Sequence, residues 1–419
     1  MKPSEIILNA SDYVSEERLW ELLMDVATYG ATEKGGVNRQ ALSPEDTAAK
    51  NHVVRWATER GFQSFHDEIG NLFIRREGND PTLDPVMTGS HLDSQPTGGR
   101  FDGAFGVLAG LEALEALNDA KIQTKRSIEV VAWTNEEGSR FSPGAMGSSV
   151  FSGIKTLPSV MDLTDPAGVL LSEALKATLS EVLATRCSLG RVKPHSYVEA
   201  HIEQGPILEE GEIPIGVVSG IQGIRHIDIN VTGEEAHAGT TPRRSRTDAL
   251  VSGINIVNAL HKLTFDDKDI LRFTIGRFEV HPGSPNTVPG QVHFTIDLRH
   301  PDKKVLSSIG DEMHTVAKNA GGDCQVEVLD IGFITPTEFG IKMINIIAKA
   351  ADHLNYKNVT MPSGAGHDAM HLSNICPTGM IFVPCLGGVS HNEAESASSQ
   401  DLAIGTRVLV DAITYLANE

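Results

Sequence analysis

The sequence predicts an α/β protein: a mainly parallel sheet flanked by helices and interrupted by an inserted α+β domain. Three observations lead there. Residues 84–89 (DPVMTG), 103–118 (GAFGVLAGLEALEALN) and 127–134 (SIEVVAWT) read as strand, helix and strand. Both strands are apolar, the pattern of a parallel sheet covered on both faces. Near residue 215 the pattern changes to one dominated by strands, and after residue 335 the first pattern returns.

Taken in order, residues 45–60 read as an amphipathic helix and 71–76 (NLFIRR) as a strand, ahead of the central strand, helix and strand. The insert reads as strands at 215–219 and 224–232, a helix at 246–262, strands at 270–280 and 291–299, a helix at 302–319 and a strand at 324–331. A helix at 337–354, an apolar strand at 379–384 (GMIFVP) and a helix at 402–417 close the chain. The expected division is residues 1–214 with 332–419 as one domain and 215–331 as the insert.

Composition narrows the function. The 419 residues carry a formal charge of −20, and no run of Lys and Arg offers the patch that a nucleic-acid backbone needs. Nowhere do eighteen apolar residues run together, so no membrane span is expected. The opening MKPSEIILNASDYVSEERLW has neither the apolar core nor the cleavage site of a leader, and Cys187, Cys324, Cys376 and Cys385 form no CxxC pair. A cytoplasmic protein with reduced thiols is the expectation.

The candidate chemistry sits where apolar strands end, the rim on which open α/β sheets hold ligands. His91 and Asp93 form an H-x-D pair, and Asp102 follows a glycine-rich turn. Glu136 and Glu137 are adjacent, His201 and Glu203 lie in HIEQG, and His391 lies in GGVSHNEAE. Each alone has a plainer reading as a turn, a cap or a hydrogen-bonded surface group. Together, imidazoles and carboxylates without cysteine suit one or two divalent ions such as zinc, manganese, cobalt or nickel, with Asp102 the candidate bridge. GAGHDA at 364–369 imitates a dinucleotide-binding turn, but a short polar segment (NVTMPS) precedes it and no acidic residue follows at the required distance, so a tight turn beside the metal site is expected. Neither a G-x-S-x-G elbow nor a P-loop is present.

Eight motifs then carry a resemblance. GSHLDSQPTGGRFDGAFG, WTNEEGSRF, EAHIEQGPILE, GEEAHAGTTP, PNTVPG, DLRH, SGAGHDA and GVSHNEAE resemble the ureido-acid branch of the dinuclear aminoacylase and carboxypeptidase superfamily, and the resemblance covers nearly the whole chain, from about residue 15 to 415. That branch comprises N-carbamoyl-L-amino-acid amidohydrolases, yeast-type β-ureidopropionases and allantoate amidohydrolases. The resemblance implies a zinc-peptidase-like catalytic domain with an inserted lid and dimerisation domain. It implies two divalent ions held by His91, Asp102, Glu137, His201 and His391, with Glu136 as general base and Asp93 accepting from the second ring nitrogen of His91. Gln204, His237, Asn286, Arg299 and Gly366 are implied as substrate contacts, Arg299 clamping a carboxylate through two parallel hydrogen bonds. Closure of one domain on the other and a homodimer through the insert, one subunit's histidine reaching the other's site, are implied as well. The expected reaction is hydrolysis of a small ureido acid. A peptidase, an aminoacylase and a catalytically idle binding protein are the alternatives, the last disfavoured because every catalytic position is filled.

Overall fold

The computed structural model describes residues 9–419, so the first eight residues of the stretch read above as lacking a leader lie outside it. The chain divides into two compact units, one formed by the described part of Met1–Ser219 with Phe339–Glu419 and the other by Gly220–Glu338.

The first unit is built on four adjacent parallel strands, Thr378–Val383, Ser196–Ile202, Val86–His91 and Ile128–Trp133. Each is buried along its whole length, including polar residues such as Glu129 and Glu199. Antiparallel strands flank them: Ile215–Ile221 beside Thr378–Val383, and Leu72–Arg76 then Gln63–His66 beyond Ile128–Trp133. Alternate side chains face opposite layers. Ile128, Val130, Ala132, Val198, Ala200, Ile381 and Val383 join the core formed with helices Glu16–Ala27, Ala104–Asp119, Ile341–His353 and Ser399–Asn418. On the other side Trp133 packs edge-on against Phe73, Phe151 and Tyr197. Helix Pro44–Glu59 starts as its sequence signals, with Pro44 in the first turn and the Ser43 side chain accepting from the amide of Asp46.

The second unit is a four-stranded antiparallel sheet in the order Arg272–His281, Gln291–His300, Gly223–Thr232, Gln325–Ile334. Burial along Gly223–Thr232 alternates, as expected of a sheet covered on one face. Ile227, Ile229 and Val231 pack under helices Ala249–Leu263 and Lys303–Ala320. Among the described residues no helix is long and apolar enough to cross a membrane.

Three elements differ from expectation. The strand at 215, read as the opening of the insert, pairs with Thr378–Val383 as part of the larger sheet, because nearly all of its side chains are buried there. The short polar NVTMPS segment, assigned to no element above, is a strand, Asn358–Ser363, beside Ile215–Ile221, with only Met361 and Ser363 buried. The helix expected from 337 begins at Ile341, after the two-residue strand Thr337–Glu338 and Gly340.

One buried charge ties the amino-terminal helix to the core. Glu112, 1% exposed in helix Ala104–Asp119, accepts from Arg18 Nε (2.6 Å) and Nη2 (2.8 Å) and from the amide of Ser15 (2.7 Å). Arg18→Ala leaves that carboxylate without its cation and is expected to cost about 3 kcal/mol of stability. The urea midpoint of the variant checks this, and adding Glu112→Gln should recover part of the loss.

Candidate metal centre

Four neighbouring strands deliver the site. His91 is the last residue of Val86–His91, His201 lies one residue from the end of Ser196–Ile202, Glu136 and Glu137 follow Ile128–Trp133, and His391 sits on the loop after Thr378–Val383. Parallel packing brings these carboxyl ends to one rim.

The glycines around Asp102 have steric reasons. Gly103 has φ of 66°, and a Cβ there would come within 2.2–2.4 Å of the His91 ring. A Cβ on Gly99 would meet the Glu395 carboxyl carbon at 2.1 Å. Glu395 needs that approach because its Oε1 accepts the amides of Phe101 (2.9 Å) and Asp102 (3.0 Å). The loop is thus wrapped on a buried carboxylate beneath it and pressed against an imidazole above.

Asp102 is shared. Its Oδ1 lies 3.2 Å from His201 Nε2 and 3.6 Å from His91 Nε2, and its Oδ2 lies 3.5 Å from His391 Nε2. Glu137 Oε2 is 3.2 Å from the same His391 nitrogen. Two candidate ligand sets result, His91 with Asp102 and His201, and Asp102 with Glu137 and His391, the ligand atoms of each lying within 4.8 Å of one another. The Nδ1 atoms of His91 and His201 are each 2.9 Å from a backbone carbonyl, those of Asp93 and Ile202, which turns both Nε2 atoms inward.

The electrostatics call for cations. The ion-pair partners of Asp93, Asp102, Glu136 and Glu137 are all histidines. Burial pushes the Glu136 carboxyl well above the usual range against the pull of His91, and Asp368 and Glu137 add to the push. Glu137 is raised by burial and by Asp102, and burial with Asp102 pushes Glu395 up to about 7. Burial also acts against Asp102, but its hydrogen bonds with His201 and His91 outweigh it and hold that carboxyl well below the usual range. Burial opposes charge on His91, yet Glu136 and Asp102 raise its pKa well above normal. Carboxylates and inward Nε2 atoms, crowded with no Lys or Arg ion pair among the described residues, are the donor set of divalent ions rather than of an anion site. Backbone strain gathers here too: Asn135, Gln204 and His391 all take left-handed φ, 56°, 58° and 53°.

The description "Peptidase family M20/M25/M40" matches residues 87–415. The chain belongs to this family. It is a family of dinuclear metallohydrolases, and the ligand sets above fit that chemistry. An N-carbamoyl-L-amino-acid amidohydrolase of Rhizobium meliloti is 39% identical, covering 96% of this chain and 97% of its own. An allantoate amidohydrolase of Bacillus subtilis is 33% identical over 94% and 95%. The crystal structure of an amidase of the hydantoinase/carbamoylase family from Burkholderia multivorans superimposes with a TM-score of 0.92, at 42% identity over 97% of this chain and 98% of that one.

Within this M20 chain several side chains do other work than expected. The Asp93 carboxylate does not take the His91 ring: Nδ1 is 3.9 Å from its Oδ1 but 2.9 Å from its carbonyl. Its two oxygens instead accept the amides of Glu136 and Glu137, each at 3.2 Å, and so aim the paired glutamates. Glu203 caps helix Ile207–Glu210 through the amides of Ile207 and Leu208. Gln204 gives its Nε2 to Asp102 Oδ2 (2.7 Å) and Ser390 Oγ (3.2 Å), and its buried Oε1 has no partner among the described residues. Gly366 has open space around it, and the next residue, His367, packs its ring edge-on against that of His201, with centroids 4.5 Å apart.

His237, Asn286 and Arg299 belong to the second unit. His237 lies beside Asn286, since Ala236–His237 pairs with Thr287–Val288 and the amide of Ala238 donates to the Asn286 carbonyl (3.0 Å). The amides of Gly239 and Thr240 donate to His237 Nδ1 at 3.1 and 3.2 Å. Both are donors, so the neutral ring carries its proton on Nε2. The Arg299 edge expected to clamp a carboxylate in parallel is engaged by Asp297, with Nε and Nη2 at 2.8 and 3.0 Å. Sequence reasoning passed over Glu395 and Ser390, although GVSHNEAE holds both.

If Asp102 is shared, Asp102→Ala should lose both ions while His391→Ala keeps one. Elemental analysis after equilibration with a divalent metal checks the difference, and equal losses would show that Asp102 is not the bridge.

Proposed function

We propose that the protein hydrolyses the ureido C–N bond of N-carbamoyl-L-amino acids, taking up one water and releasing the amino acid, carbon dioxide and ammonia. The observation that carries this reading is the pairing of Glu136 with the two ligand sets that share Asp102. His91, Asp102 and His201 would hold one divalent ion, zinc, manganese, cobalt or nickel, and Asp102, Glu137 and His391 the other. When bound, such ions lower the pKa of water and polarise a carbonyl that two nitrogens deactivate. The chain's own groups do the rest. Glu136, 12% exposed and carrying a carboxyl biased toward holding a proton, takes the proton of the attacking water and returns it to the departing nitrogen. Asp93 keeps it aimed through the Glu136 amide. The unpartnered Gln204 Oε1 accepts a ureido N–H, and His237 donates from Nε2 to the developing oxyanion. Asn286, Arg299 and the backbone at Gly366 complete the substrate contacts, Arg299 meeting the carboxylate.

Allantoate is the second reading, favoured by the allantoate amidohydrolase of similar length among the relatives. N-carbamoyl-β-alanine belongs to the same class. A cytoplasmic homodimer through the second unit completes the proposal. Its support is the edge strand Gln325–Ile334, on which Leu329, Ile331, Phe333 and Ile334 are 43–57% exposed. Ile331→Lys should convert the dimer to monomer by sedimentation. An unchanged dimer would move the interface elsewhere.

Ammonia release by the metal-loaded protein on N-carbamoyl-L-amino acids, N-carbamoyl-β-alanine, allantoate and N-acetyl amino acids tests the substrate class. Chelation should abolish release and a divalent ion restore it. Glu136→Gln should keep its metal content yet lose roughly two to four orders of magnitude in turnover. Near-normal turnover would remove Glu136 from the role.

A further inference from the structure

On the helix-free face of the second unit's sheet, three side chains form a chain of contacts. Asp297 and Arg299 stand two residues apart on Gln291–His300 and so share a face, and Asp297 lies directly across from His226 on Gly223–Thr232. Arg299 Nε donates to Asp297 Oδ1 at 2.8 Å and Nη2 to Oδ2 at 3.0 Å. His226 Nε2 is 3.1 Å from the same Oδ2, which can only accept from it. Their side chains are 29–43% exposed.

We propose that Asp297 and His226 are positioning residues that hold the Arg299 guanidinium in one orientation for the substrate carboxylate. This rests on the reading of Arg299 as the carboxylate-binding group. An anion site that needed only positive charge would be better without Asp297, whose charge offsets that of Arg299. What the carboxylate supplies is orientation. A free arginine is a flexible four-bond stem that must be ordered when ligand arrives, whereas pinning its Nε edge fixes the guanidinium plane when the protein folds. His226 limits the swing of Asp297 in turn. Charge and orientation therefore make opposite predictions for Asp297→Asn, which removes the negative charge and one of two acceptors. Charge alone predicts tighter binding of an anionic substrate, and orientation predicts weaker binding.

Steady-state kinetics of the metal-loaded full chain on an N-carbamoyl-L-amino acid and on its carboxamide decide between them. Asp297→Ala should raise KM for the acid about tenfold. Asp297→Asn should raise it too, and the loss should fall on KM far more than on kcat. The carboxamide should move much less. His226→Ala should give a smaller rise, and His226→Gln, which keeps a donor, should restore part of it. A KM for the acid that stays the same or falls in Asp297→Asn, or an equal loss on acid and carboxamide, would overturn the proposal. A second readout does not depend on turnover: the Arg299 Nε–H resonance, assigned by its loss in Arg299→Lys, should exchange slowly in the unmodified protein and fast in Asp297→Ala. Equal exchange in both overturns the positioning role. Failure of the unmodified protein to hydrolyse any ureido acid would instead overturn the functional reading, leaving the resonance to decide the positioning.

Discussion

The first unit is organised around one carboxylate that faces two ways. Asp102 offers Oδ1 to His91 and His201 and Oδ2 to the side of His391, where Gln204 and Ser390 also donate to it. Such sharing demands a backbone held from below, which Glu395 does through the amides of Phe101 and Asp102. It also demands closeness from above, which Gly103 allows by leaving no Cβ against the His91 ring. The glycine-rich loop is loose in sequence and tight in space.

The same crowding makes this part of the chain poor at stabilising itself. Asp93, Glu136, Glu137 and Glu395 are all pushed toward their protonated forms by burial, and the imidazoles that meet the first three offset only part of their charge. Left-handed φ at Asn135, Gln204 and His391 adds strain where the side chains must be aimed. The sheet around them absorbs this cost: four strands buried from end to end hold the rim whatever the rim itself prefers.

Much of this was legible from residue types and order. Largely apolar strands around a mostly apolar helix announced a sheet covered on both faces, and several candidate ligands stood at predicted strand ends, although the strand Ser196–Ile202 that carries His201 was not predicted. Three things were not legible, for separate physical reasons. Whether IGVVSGI belongs to one sheet or another depends on partners far away in sequence, because a buried strand reads alike in both. NVTMPS is polar because only Met361 and Ser363 turn inward, so its pattern is too sparse to signal a strand. The work of Asp93, Glu203 and Glu395 is to accept backbone amides, and an amide carries no side-chain signature that a reading of residue types can find.

The second unit applies the same economy to the groups proposed to recognise substrate. His237 has its Nδ1 fixed by two amides of its own turn, and Arg299 has its Nε edge fixed by a carboxylate on its own strand. In each case a flexible polar group has been given a local partner that fixes how it is presented. For the histidine this sets the identity of the donor, and for the arginine it sets the plane of the charge. In a protein with a net charge of −20, an anionic substrate gains little from the overall field. Its recognition has to come from a few groups whose direction is settled before it arrives, and ordering them through neighbours on the same turn or strand keeps that cost inside the folding of the unit.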